Sequence, residues 1–322
     1  MLNFFKIAAN TFKESVREPI FALLLMCAVL LIANFPFVAI FVFYDQVKLV
    51  VDSSMATTML FGLFAAVLCS SHTVSREMRD GTVLLLFSKP VLRSTFILGK
   101  IAGIMLSSLL FVLVCNAASV VALYVAVDAF RVDFPLYYIL LGLLVLGAAV
   151  GMVLNFAKSS SFASVMTVFM AVALPVMAVA VMIFKKVPPE IVLSDFLLAI
   201  TLLFFAVAAM ATLTVVFATR LDMVSNLCVS SVLFALGLMS NYLFQPEAGS
   251  LSVFKSILYA LLPNWQVFWL ADALATRKTI PLEYLGFAAV YVLLYIVLCV
   301  RIEKFSVVFV PLTVFVELFG FI

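Results

Sequence analysis

Long apolar runs separated by short polar bridges set the rhythm of this chain. An apolar run of about 17–25 residues is enough for a helix to cross the hydrocarbon core of a bilayer. Eight spans are predicted on this basis: Ile20–Phe43, Met55–Ser71, Ile101–Val127, Leu136–Phe156, Phe162–Phe184, Phe196–Ala218, Leu227–Phe244 and Leu285–Val300. Ahead of them, Phe5, Ala8, Ala9, Phe12 and Val16 share one helical face, with Lys6, Asn10, Lys13 and Arg17 elsewhere. Residues 1–19 therefore read as a helix lying in the interface, with Pro19 turning the chain into the bilayer. A second departure is Leu251–Ala275, where Leu251, Phe254, Leu258, Leu261 and Leu262 form a stripe beside Ser252, Lys255 and Ser256, followed by Pro263, Trp265 and Trp269. Residues 245–284 are predicted as an outer amphipathic or re-entrant segment, since tryptophan concentrates at membrane interfaces. The apolar tail Phe305–Ile322, with Glu317 as its one charge, reads equally as a ninth span or as an interface helix.

Composition agrees with this pattern. Hydrophobic residues are 67% and charged residues 11% of 322 positions, against roughly 45–50% and about 25% in soluble domains. The expected fold class is an all-α polytopic membrane protein forming one domain over residues 1–322, with about eight transmembrane helices and six to nine as the range. The formal charge of +3 rests on few ionic groups and gives no footprint for nucleic acid. The run Ile20–Phe43, about 24 residues, exceeds the 7–15 of a signal-peptide core and is expected to stay as the first span. Cys27, Cys69, Cys115, Cys228 and Cys299 occur singly, and His72 is the one histidine, which argues against disulfides and metal sites. No G-x-x-x-x-G-K-[ST] occurs, so the chain is expected to be no enzyme and to hold no ATP itself.

The long charged stretch, REMRDGTVLLLFSKPVLRSTFILGK from Arg76 to Lys100, lies between the second and third spans. Arg76, Arg79, Lys89, Arg93 and Lys100 place it on the cytoplasmic side, where basic residues are retained during insertion. With the N-terminus inside, Lys6, Lys13, Arg17, those five, Lys158, Arg220, Arg301 and Lys304 face the cytoplasm, twelve of the 19 basic residues. Residues 72–100 are read as a cytoplasmic loop whose charged turn (Glu77, Asp80), Gly81-Thr82 break and apolar run Val83–Phe87 form a short amphipathic helix. A plain connector has no need of that run, which must be buried on lipid or protein. Docking of a soluble partner is the preferred reading.

Other features favour plain packing. All 16 acidic residues map to loops or span ends, whereas an ion-coupled carrier usually holds a carboxylate at mid-membrane. Asn34 and Asn116 are expected to bond neighbouring helices, and the G-x-x-x-G pairs Gly99–Gly103 and Gly147–Gly151 to allow close helix approach. His72, with no acidic neighbour in sequence, reads as an ordinary interfacial histidine.

The charged stretch resembles the loop between the second and third spans of the membrane subunits of type-2 ABC transporters. The matching residues are Glu77, Gly81-Thr82, Val83–Phe87, Lys89-Pro90, Arg93 and Gly99-Lys100. The amphipathic N-terminal segment and the outer segment before the last span resemble the same family, and Leu262-Pro263-Asn264-Trp265 is similar to permeases grouped with copper-enzyme maturation and related export systems. The family commonly has six spans and a short charged tail, where eight spans and Phe305–Ile322 are read here. The resemblance implies a permease subunit of an ATP-driven exporter in the cytoplasmic (inner) membrane of a prokaryote, multi-pass with the N-terminus inside. It implies a second permease subunit, identical or not, and a separate ABC ATPase subunit that binds ATP and magnesium. Contact with the ATPase would come through a coupling helix carrying Arg76, Glu77, Arg79, Asp80, Gly81, Thr82, Lys89, Pro90 and Arg93. The alternative readings are an ATP-independent secondary carrier and a membrane scaffold of an assembly complex; a membrane-embedded enzyme lacks a catalytic constellation.

Overall fold

The computed structural model describes residues 2–41, 46–76, 93–127, 131–185, 192–244, 259, 262–275 and 279–305. Helix α1 (Leu2–Arg17) is joined through Glu18 to α2 (Pro19–Ala39), and α3 (Gln46–Ser70) continues into a π-helical turn, Ser71–Ser75. Then follow α4 (Arg93–Val125), α5 (Phe134–Lys158), α6 (Phe162–Phe184), α7 (Leu193–Ala218) and α8 (Met223–Leu238). A short α9 (Ser240–Phe244), a 3-10 turn at Trp265–Phe268, α10 (Ala271–Ala275) and α11 (Glu283–Phe305) complete the described elements. Ala126–Val127 pairs antiparallel with Arg131–Val132 to clasp the α4–α5 connection.

Among the described residues, seven helices are long and apolar enough to cross a membrane, and α8 is a shorter apolar helix. The protein is an all-α, multi-pass membrane protein. The predicted spans locate these helices but mark their ends poorly. α4 starts at Arg93, eight residues before the predicted span, and α3 starts at Gln46, ahead of Met55. Intrahelical hydrogen bonds carry the backbone through polar residues, so hydropathy marks the part in lipid and not the end of the helix. The seventh predicted span, Leu227–Phe244, divides instead into α8 and α9, broken at Met239. α8 has 16 residues, a length of about 24 Å against a core of about 30 Å. Residues 306–322 lie outside the described ones.

Three helices, α3, α4 and α7, pack on one another and form the centre, with 67% of each span buried; α5 and α11 are peripheral at 22%. Gly62 lets α3 approach α7, because a Cβ there would stand 2.8 Å from the Val207 side chain. α2 packs on α3 and α4, α6 on α4, α5 on α6, and α11 on α7. Several of the hydroxyls buried among these helices bond to their own helix, as Thr58 to the Ser54 carbonyl (2.9 Å), Thr212 to Ala208 (2.9 Å) and Ser119 to Cys115 (2.9 Å). This satisfies them where no water reaches.

The intramembrane amides link helices, as expected. Asn116 Nδ2 on α4 donates to the Ile200 carbonyl of α7 at 2.8 Å. Asn34 of α2 accepts from the Tyr137 hydroxyl of α5 at 3.2 Å. Both G-x-x-x-G pairs serve internal packing: Gly99 and Gly103 meet α1, and Gly147 and Gly151 meet Phe169 and Phe162 of α6.

Candidate functional site at the root of the charged stretch

α1 crosses the loop end of α4 at Gly99 and Gly103, where a Cβ on Gly103 would stand 2.6 Å from Thr11 Cβ and 2.7 Å from the Ala8 carbonyl oxygen. Only small side chains allow that approach. The face that α1 turns inward is therefore Thr11, Ser15 and Val16, all buried, while Phe5 is 66% exposed. The predicted stripe is split: Val16 packs inside and Phe5 is left for the surroundings.

The C-terminal end of α1 brings Glu18 to α3. His72 Nδ1 lies 3.0 Å from Glu18 Oε1, with side chains 29% and 21% exposed. The absence of an acidic neighbour in sequence is thus made good in space, because the α1–α2 corner packs against the end of α3.

His72 belongs to the π turn Ser71–Ser75, in which Ser71, Thr73 and Val74 are buried. A π turn widens the helix by one residue, and such turns concentrate at functional sites. Three contacts hold this one. Thr73 Oγ1 donates to the Cys69 carbonyl at 2.8 Å. Asn226 Nδ2 of α8 donates to Ser71 Oγ at 2.7 Å and to the Thr214 carbonyl of α7 at 3.3 Å, while Ser230 Oγ donates to Asn226 Oδ1 at 3.2 Å. Lys100 Nζ of α4 donates to the Thr73 carbonyl at 3.4 Å and sits 5.8 Å from the centre of the Phe96 ring, with Lys100 only 2% exposed. A lysine head so enclosed requires acceptors and a π face to replace water.

The two arms of the charged stretch are thereby tied together before they leave the bundle. Of the predicted coupling residues, Arg76 follows the π turn in helical backbone and is exposed, and Arg93 is the first residue of α4. Glu77, Arg79, Asp80, Gly81, Thr82, Lys89 and Pro90 lie outside the described residues. Sequence reasoning missed Glu18, Ser71, Thr73 and Asn226. Asn226 carried a readable signal, an amide in an apolar run, but nothing local to it names its partner.

At the opposite end a second polar cluster holds the segment before α11. Asn264 Nδ2 donates to Asn241 Oδ1 at 2.6 Å, Gln266 Nε2 to the Leu238 carbonyl at 3.0 Å, and the Asn264 backbone N–H to the Tyr291 hydroxyl at 2.9 Å. Trp265 is buried against α8, its ring 6.0 Å from that of Phe234. Lys185 and Asp133 pair at the same end. Among the described residues no group of three His, Cys, Asp or Glu gathers to hold a metal, and all five cysteines are free.

Comparison with family models, with curated proteins and with solved structures finds no match for this chain.

Proposed function

We propose that this chain is the membrane-spanning permease subunit of an ATP-driven ABC exporter. In this reading it sits in the inner membrane of a prokaryote with its N-terminus inside, pairs with a second permease subunit, and takes its energy from a separate ATPase subunit that binds ATP and magnesium. The observation that carries the reading is the root of the charged stretch. Both arms are fixed into α3 and α4, two of the three central helices, and are joined by Lys100 and Thr73. A simple connector has no use for a buried lysine and a π turn at its base. A transmitter does, because force applied at Glu77–Phe87 must reach the spans as a rigid-body movement. The Gly81-Thr82 break and the run Val83–Phe87 supply the docking chemistry, charge around an apolar centre.

The test is copurification of the tagged full chain from its native membrane. A P-loop ATPase subunit is expected in the complex. Glu77→Lys and Gly81→Val should weaken its capture or uncouple hydrolysis from transport in reconstituted vesicles, with membrane insertion near normal. Unchanged capture and coupling in both variants would return the stretch to a topological connector, and vectorial uptake driven by an ion gradient alone would favour a secondary carrier.

A further inference from the structure

Helix α1 carries a cationic ridge on the side turned away from the bundle. Lys6, Lys13 and Arg17 follow one another at helical spacing, which stacks them on one side of the helix with Asn10 between them. All four are exposed, and among the described residues none of the three cations is paired with an acid. Packing fixes their direction, because Thr11 and the Ala8 carbonyl are pressed against Gly103 of α4 on the other side. The acids of the same segment lie off the ridge: Glu14 is half-buried, and Glu18 faces His72 of α3. Phe5, 66% exposed, borders the ridge next to Lys6.

The depth of the ridge follows from α2. Its 21 residues make about 32 Å, matched to a hydrocarbon core of about 30 Å, so Pro19 stands at the edge of the core. Arg17 lies just ahead of Pro19 in the chain. Lys13 is about 6 Å farther along the helix, and its flexible stem reaches the headgroup layer, which is about 5–8 Å deep.

We infer that this ridge is a docking surface for the headgroups of anionic phospholipids, with Arg17 and Lys13 at phosphate level and Lys6 extending the positive field. Charge complementarity selects the occupant, since each cation near an anionic bilayer surface adds an attraction that fades within a Debye length. The exposed Phe5 adds apolar area of the kind that interfacial helices bury at the headgroup boundary. Position decides for lipid over an acidic protein, because a protein would first have to displace the headgroups that already surround Arg17 and Lys13. The inference needs only the multi-pass fold and stands independently of the proposed transport role.

The full chain in nanodiscs of phosphatidylcholine, with and without phosphatidylglycerol of the same acyl chains, tests the surface by amide exchange over Leu2–Arg17. Phosphatidylglycerol should slow exchange there about tenfold at low salt, the scale of two near-surface cations discounted for their exposure. High salt should shrink the effect, and inorganic phosphate added to phosphatidylcholine nanodiscs should not reproduce it. Lys6→Gln, Lys13→Gln and Arg17→Gln made together should remove the slowing. Lys6→Arg with Lys13→Arg, which keeps the charge, should retain it, and Lys48→Gln, at the other end of the bundle, should leave it unchanged. The lipid and salt comparisons use the unaltered chain, so they decide the matter even if the triple variant does not fold. Equal exchange in the two bilayers, or slowing that survives in the triple variant, overturns the assignment. Equal slowing by soluble polyglutamate in phosphatidylcholine alone also overturns it and gives the ridge to an acidic protein.

Discussion

Asn226 and Ser71, 155 residues apart in the chain, share a 2.7 Å hydrogen bond at the buried base of the charged stretch. Asn226 also reaches the Thr214 carbonyl and accepts from Ser230, so one amide ties α8 to α3 and α7. Asn226→Ala should lower stability by about 1–2 kcal/mol and Ser71→Ala by about 0.5–1 kcal/mol, since each leaves a buried partner unmatched within a bilayer. The double variant should lose less than the sum, because the second change removes a group already orphaned by the first. Denaturant titration of the four proteins in mixed micelles measures the cycle; strictly additive losses would show that the pair is uncoupled.

Lys100 offers a sharper contrast. Lys100→Met keeps the buried stem and removes the charge together with its need for the Thr73 carbonyl, so stability should remain within about 1 kcal/mol, as when a buried ionic contact is replaced by an apolar residue. Lys100→Glu places a carboxylate beside that carbonyl and should cost about 3 kcal/mol or more. Amide exchange at Ser71–Val74 should quicken in Lys100→Met while the rest of α3 is unaffected. Unchanged exchange there would mean that Lys100 does not fasten the two arms.

The α1–α4 crossing depends on Gly103. Gly103→Ala drives a methyl against Thr11 and the Ala8 carbonyl and should cost about 1–3 kcal/mol, the usual penalty of overpacking. Gly142, on the exposed side of α5, has nothing within 4 Å of where its Cβ would be, and Gly142→Ala should be neutral or stabilise by up to about 1 kcal/mol through helix propensity. Thermal unfolding of the two variants in detergent, compared side by side, checks the order; equal effects would refute the close crossing.

Ser159, in the short link between α5 and α6, has φ 52°, in the left-handed region. Asn155 Nδ2 donates to the next carbonyl, that of Ser160, at 2.6 Å and holds the turn. Ser159→Gly should stabilise by about 1 kcal/mol, because a Cβ is disfavoured in that conformation. Ser159→Val should destabilise. Melting curves of the three proteins decide it, and a loss of stability in the glycine variant would show that the serine side chain is needed there.

How much of this was legible in the sequence differs from element to element. Phe162–Phe184 is the same in prediction and structure, because hydropathy falls at the very residues, Ser161 and Lys185, where the backbone turns extended and the helix ends. The start of α4 at Arg93 was not legible, since no apolar pattern marks a helix that continues through a basic stretch. The bonding of Asn34 and Asn116 to other helices followed from their surroundings alone, for an amide in lipid must find a partner; which partner did not follow.

By itself the sequence determined that the chain is helical and crosses a membrane many times, since the cost of unpaired backbone groups in hydrocarbon leaves few alternatives for runs of this length and apolarity. It also marked Arg76–Lys100 as the place where the pattern changes. Tertiary structure alone decided that Glu18 meets His72, that Asn226 meets Ser71, and that Lys100 is enclosed between α3 and α4. The physical reason is that hydropathy is a property of each residue against its solvent, summed locally. Which helices stand side by side is set by the fit of small residues such as Gly62 and Gly103 against distant partners, and a linear pattern carries no record of that pairing.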